Sequence, residues 1–324
     1  MPIPETEAPE PDSYIIDGHV DLLYAMLQSH PDTSFENISD LPVTLEKMRD
    51  ANAMVIVSAF YCPDTHNGEG SSARFLKNLF EYEDKYLTSL VRITSSDALK
   101  QCIDKKTPGM IRLIENSDCL LETSLETLRR IGIKVAGLTH VGRNRIGDGN
   151  NIPFPDGLTG AGKELVQNLA REGFAFDAAH LAEPGFRDLT RIYEGPLLSS
   201  HTGVRALCDT PRNLTKEQIR VILDRKGVIG IAADPKMLSP SAEASIEDVF
   251  RHIDWIAQAF ETDGIAVGSD FCGFHTVNSG LEDITRLHDL RAMLLKKGYP
   301  EQSVRGIMGE NWYKFYSALL TAMP

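Results

Sequence analysis

The chain has 324 residues, 42% hydrophobic and 24% charged, enough for one large α/β domain or two small ones. Its formal net charge of −13 repels phosphate backbones and anionic lipid surfaces, so neither nucleic acid nor a membrane is an expected partner. The five cysteines (Cys62, Cys102, Cys119, Cys208 and Cys272) are odd in number and lack CxxC spacing, which argues against a disulfide framework or a thiolate zinc site and fits a reduced compartment.

Residues 1–13, MPIPETEAPEPDS, are acidic and proline-rich without the basic and apolar regions of a signal peptide. They are expected to form a mobile tail, and the protein is expected to be cytoplasmic. From residue 14 onward, eight short β-branched or apolar runs recur: YIIDGHVD (14–21), AMVIVSAFY (53–61), MIRLIEN (110–116), IKVAGLTH (133–140), FAFDAAH (174–180), PLLSSHTG (196–203), GVIGIAAD (227–234) and GIAVGSDF (264–271). Between them lie helical patterns such as GKELVQNLAREG, TKEQIRVILDRKG and SIEDVFRHIDWIAQAFETDG, with apolar residues three and four apart and a glycine at the end. Eight strand–helix units in roughly 250 residues predict a (β/α)8 TIM barrel rather than a doubly wound sheet. No linker interrupts the run, so residues 14–324 read as a single domain. Helices after Gly280 are expected to cover the barrel, with GENWYKFYSALL supplying aromatic packing. The long connection 62–109 is expected to carry a helix from SARFLKNLFEYEDKYLTSL.

Six of the eight strand candidates end in a polar residue of ligand or catalytic type: His19 and Asp21, Glu115, His140, His180, His201 and Asp270. His19 and Asp21 are one residue apart, so on a strand they share a face. Barrel closure would gather all of these at the C-terminal mouth, where barrel enzymes place their chemistry. There Asp21, Glu115 and Asp270 would bring about three negative charges into a partly desolvated space, at several kcal/mol each if unpaired. Two divalent cations would offset them. Nitrogen and oxygen donors without thiolates suit Zn²⁺, with Mn²⁺ or Co²⁺ as substitutes. His30, His66, His252, His275 and His288 read as hydrogen-bonded or exposed histidines outside this set, and Cys272 as a small buried residue rather than a thiol nucleophile.

The segments DGHVD, IEN, GIKVAGLTH, LTGAGKELVQNLAREGFAFDAAHL, SSHTGVRALCDTPRNLT, HIDWIAQAFETDGIAVGSDFCG and GENW, in this order, resemble the membrane (renal) dipeptidase family. These are the M19 metallopeptidases of the amidohydrolase superfamily, and the likeness runs from about residue 14 to 320. It implies a barrel of the metal-dependent hydrolase type. It further implies a two-zinc dipeptidase working through a metal-bridging hydroxide, tolerant of D-residues at the C-terminal position, and a homodimer. His19 and Asp21 would hold one zinc, His180 and His201 the other, and Glu115 both. His140 would sit over the substrate carbonyl, Arg212 would take the substrate carboxylate, and Asp270 would handle protons. No lysine ends a strand candidate, which is consistent with a glutamate bridge rather than the carboxylated lysine of other superfamily branches.

Three departures from the family pattern bear on the pocket. Asn116 and Ser117 follow Glu115 where the family commonly has two glycines, which implies altered room beside the bridging ligand. The family's LTHNxxN appears as LTHVGRNRIGDG, and its DFDG as DFCG with Cys272. Two other readings stay open at this level: the same centre acting on a different amide, lactam or ester, and a barrel that binds a metal or ligand without turnover.

Overall fold

The protein, described by a computed structural model over residues 14–275 and 279–321, is organised around one parallel sheet. The expected tail over 1–13 lies outside the described residues. The strands are β1 (Ile15–Val20), β2 (Ala53–Tyr61), β3 (Val91–Arg92), β4 (Gly109–Glu115), β5 (Val135–Gly137), β6 (Ala175–Asp177), β7 (Leu197–Thr202), β8 (Val228–Ile231) and β9 (Ile265–Val267). Eight of them pair in the order β1-β2-β4-β5-β6-β7-β8-β9, every pair parallel. The ring closes just past β9, where Asp21 N–H donates to the Phe271 carbonyl and Asp270 N–H to the His19 carbonyl, each at 3.0 Å. This is a (β/α)8 TIM barrel. The exposed two-residue β3, which pairs with the outer start of β4, has no counterpart in the sequence reading.

The expected helices form. Thr159 caps Gly160–Arg171 by accepting from Gly162 N–H, and Thr215 with Gln218 makes a reciprocal capping box for Lys216–Asp224. The 62–109 connection contains the helix Ser71–Tyr86. Among the described residues no helix is long and apolar enough to cross a membrane.

Period-two alternation divides the strand residues into two cores. Ile56, Ile114, Phe176, Ile229 and Ile265 face outward into the layer of helices. Ile16, Val55, Ile111, Val135, Ala175, Leu198, Val228 and Ala266, drawn from each barrel strand, face inward near the strand starts. The C-terminal helix Asn311–Thr321 seals that end by inserting Trp312 and Tyr316, both fully buried. Trp312 Nε1–H donates to the Val267 carbonyl at 2.7 Å. Gly18 in IIDGHVD makes room for the indole, since a Cβ there would lie 2.3 Å from the ring. The apolar floor leaves the other end of the barrel free for polar groups.

Candidate active site

The side chains singled out in the sequence meet at the C-terminal end of the barrel, but not all of them on strands. His19 and His201 lie within β1 and β7, Glu115 ends β4 and Asp21 directly follows β1. His140 and His180 were expected to end strands, yet β5 stops at Gly137 and β6 at Asp177, so both sit on loops. The Gly137 carbonyl is engaged by Ser117 Oγ at 2.7 Å, and His180 has a left-handed φ of +63° that cannot continue a ladder. Asp270, with φ +65°, likewise lies past β9. Left-handed non-glycine residues cluster here, as they do where a site over-determines its backbone.

Glu115 is the centre of the arrangement. Its Oε2 faces His19 Nε2 at 3.5 Å, and its Oε1 faces His180 Nε2 at 2.9 Å and His201 Nε2 at 3.8 Å. Asp21 Oδ2 lies 3.8 Å from His19 Nε2, and His180 Nε2 lies 3.0 Å from His201 Nε2. Asp270 has an oxygen grouped with ring nitrogens of His19 and His201, and Glu115 is grouped with His140 and His180, all ligand atoms of each group within 4.8 Å of one another. The Asp21 and Asp270 carboxylates flank Gly273, where a Cβ would lie 2.4 Å from an oxygen of each. Of this set His140 and His180 are part-exposed and the others are buried.

The electrostatics call for positive charge. Burial pushes the Asp21 and Asp270 carboxyls above the ordinary range; Glu115 adds to the rise at Asp21, and Asp21 to that at Asp270. Burial would raise Glu115 too, but His19 and His180 hold it well below the usual value. Burial opposes charge on His19, yet Glu115 and Asp21 raise its pKa well above the ordinary value. His180 and His201 are driven well below theirs by burial, with Arg212 and, for His201, His19 adding to the effect. His19 Nε2 and Asp21 Oδ1 are buried without a hydrogen-bond partner among the described residues. Convergent ring nitrogens, carboxylates on both sides and orphaned donor atoms fit divalent cations of the Zn²⁺ or Mn²⁺ kind.

The surrounding cavity has a volume of about 410 Å³ and is lined on its outer side by Tyr24, Tyr61, Asn150, Asp234, Lys236 and Met237. Arg212 lies in its wall and donates Nη2–H to the His201 carbonyl at 2.8 Å, leaving other guanidinium donors available. His140 is oriented by Asp64, whose Oδ2 lies 3.0 Å from His140 Nδ1 and also accepts Gly142 N–H. Burial opposes ionisation of Asp64, and the contacts with His140, Gly142 and Asn67 outweigh it and lower its pKa.

The family departures have a different effect from the one expected. Asn116 and Ser117 are fully buried and do not line the cavity. Asn116 occupies a left-handed φ of +70°, which asparagine tolerates better than most residues and which a glycine would also meet. Its amide donates to the Cys62 carbonyl and Asn67 Oδ1 and accepts from Asn144, tying three loops together beneath the site. Cys272 is half-buried, and burial pushes its thiol up to about 12, which leaves no thiolate nucleophile near neutrality. His252 is a satisfied core residue: Val204 N–H donates to Nδ1 at 2.8 Å and Nε2–H donates to the Leu238 carbonyl at 3.1 Å. His30 and His66 likewise have local partners, whereas His275 lines the cavity rim. Asp64, Asp177 and Ser200 escaped the sequence reading; Asp177 was detectable as a lone carboxylate in the apolar run FAFDAAH.

Residues 8–321 match the sequence model of the membrane dipeptidase family, peptidase family M19. The chain belongs to this family. It is therefore a metallo-dipeptidase by class, a hydrolase acting on dipeptides. Dipeptidase tcpJ of Claviceps purpurea is 24% identical over 318 residues, spanning 91% of this chain and 74% of that one. The crystal structure of dipeptidase AC, a metallopeptidase of family M19, superposes with a TM-score of 0.85 at 23% identity, covering 95% of this chain and 98% of that one. A metallopeptidase from Rhodobacter sphaeroides, liganded with a phosphinate mimic of the dipeptide L-Ala-D-Ala, gives a TM-score of 0.83 at 23% identity, covering 95% and 99%. At that identity the superpositions establish that this dipeptidase shares their fold.

Proposed function

We propose that this dipeptidase is a two-cation enzyme, zinc being the favoured ion, that cleaves dipeptides including those with a D-residue at the C-terminal position. The observation that carries the reading is the two-sided exposure of Glu115, one oxygen toward His19 and the other toward His180 and His201. Cations held there supply Lewis acidity and make water nucleophilic near neutral pH. His19 and Asp21 hold one, His180 and His201 the other, and Glu115 both. Asp270, in reach of His19 and His201 and beside Asp21, receives a proton from water and returns it to the leaving amine. His140, steadied by Asp64, donates to the carbonyl oxygen as charge develops on it. The planar guanidinium of Arg212 takes the free C-terminal carboxylate and thereby sets the length of the substrate. The acceptance of a D-residue is supported by the L-Ala-D-Ala mimic held by the Rhodobacter sphaeroides relative.

The test is metal analysis with hydrolysis of L-Ala-D-Ala, L-Ala-L-Ala and their C-terminal amides by purified protein. Two equivalents of metal, loss of activity on chelation and loss of turnover on amidation are expected. Full activity without metal would refute the two-cation centre, and equal cleavage of the amides would refute the role of Arg212.

A further inference from the structure

We infer that one hydroxyl, that of Ser200, is the positioning contact that sets the ring tautomers of ligand histidines at both cation positions; the inference rests on the two-cation reading above. Ser200 Oγ lies 3.0 Å from His19 Nδ1 and 2.8 Å from His201 Nδ1, between rings whose centroids are 3.7 Å apart. The nearby Asp177 carboxylate accepts the backbone N–H groups of Ser200 and Ala179, each at 2.9 Å. Ser200, His19, His201 and Asp177 are all buried.

A hydroxyl has one proton to give and two lone pairs to receive. In the two-cation reading each Nε2 stays bare to face its cation, so each ring carries its proton on Nδ1. Both imidazoles then donate Nδ1–H into the Ser200 oxygen and fill its two lone pairs. Were the hydroxyl to donate to either ring, that ring would carry its proton on Nε2 and could not ligate through it. With Nδ1 protonated on both rings, Nε2 is the ligating atom of each. The two Nε2 atoms face opposite oxygens of Glu115, His19 toward Oε2 and His201 toward Oε1. A single oxygen beneath the site therefore aims lone pairs at two cation positions, and the two are coupled through it.

The experiment titrates Zn²⁺ alone into the full-length metal-free protein by chelator competition, comparing wild type, Ser200→Ala and Ser199→Ala. Ser199 is the control: it is the buried neighbour in β7, and its hydroxyl has no hydrogen-bond partner among the described residues. In Ser200→Ala both binding events are expected to weaken, each about 10- to 100-fold, while Ser199→Ala matches wild type. Unchanged affinity in Ser200→Ala, or weakening of one event alone, overturns the inference. A second measurement needs no variant: imidazole ¹⁵N shifts of the wild type are expected to show Nδ1–H on both His19 and His201. A ring with bare Nδ1 and protonated Nε2 overturns it as well. A wild type that takes up no Zn²⁺ would instead refute the two-cation reading, and the imidazole shifts would still decide what the hydroxyl does.

Discussion

Where the strands begin, the barrel interior holds at least one apolar side chain from each barrel strand and the Trp312 indole, whose single polar atom is satisfied at 2.7 Å. Where they finish, the same interior holds three carboxylates and four imidazoles, with His19 Nε2 and Asp21 Oδ1 lacking partners among the described residues and Asn116, His180 and Asp270 in left-handed backbone. The first end gains stability from burial and close packing. The second gives stability up, keeping charges and strain that only a cation and a substrate relieve. Between the two ends, Asp17 and Asp177 form a polar layer whose oxygens are occupied by Ser269 and Ser200, so the change of regime occurs within a few residues of each strand.

This division makes separable predictions. At the mouth, Asp270→Asn is expected to lower dipeptide hydrolysis about 10²- to 10⁴-fold with zinc content retained. A loss under tenfold would mean that the proton relay does not use Asp270. At the floor, Trp312→Ala is expected to cost about 3–5 kcal/mol in denaturant unfolding while cation affinity of the folded protein is kept. A parallel loss of affinity would show that the two ends are not independent.

His252 probes the helix layer outside both ends. Burial lowers its pKa from 6.5 to about 4, so the unfolded chain binds the proton more readily. Its contribution to stability is full above pH 6.5 and is lost as pH falls toward 4, roughly 3 kcal/mol in all. In His252→Gln the stability slope over that interval should flatten; an unchanged slope would assign the effect to other groups. The smallest expected effect is that of Asp64→Asn, about tenfold in kcat with little change in metal content. A change in metal content instead would place Asp64 in the support of the cation site.

All eight barrel strands were legible because buried parallel strands read as short β-branched runs between helices with recognisable caps. The gathered residues were legible because imidazole and carboxylate are rare at the ends of such runs. The ends themselves were misjudged at His140 and His180, since whether the ladder stops at Gly137, or the chain turns left-handed after Asp177, depends on tertiary hydrogen bonds such as that from Ser117. Ser200 and Asp64 were invisible for a related reason: serine and aspartate are common in loops and strand ends, and their roles exist only once His19, His201 and His140 are beside them. Asn116 was visible as a departure from the family pattern but misread, because the same position that suits glycine by its φ also lets an asparagine amide knit three loops.

The contact between Gly18 and Trp312 joins residues almost at opposite extremes of the chain. During synthesis from the N-terminus, β1 emerges early and must wait for nearly everything else before its inner face is covered. Such long-range closure is entropically late and favours slow assembly. Until the final helix arrives, a half-built barrel exposes a greasy tunnel, so shortening the chain before Trp312 would leave the catalytic rim perched on an open tube.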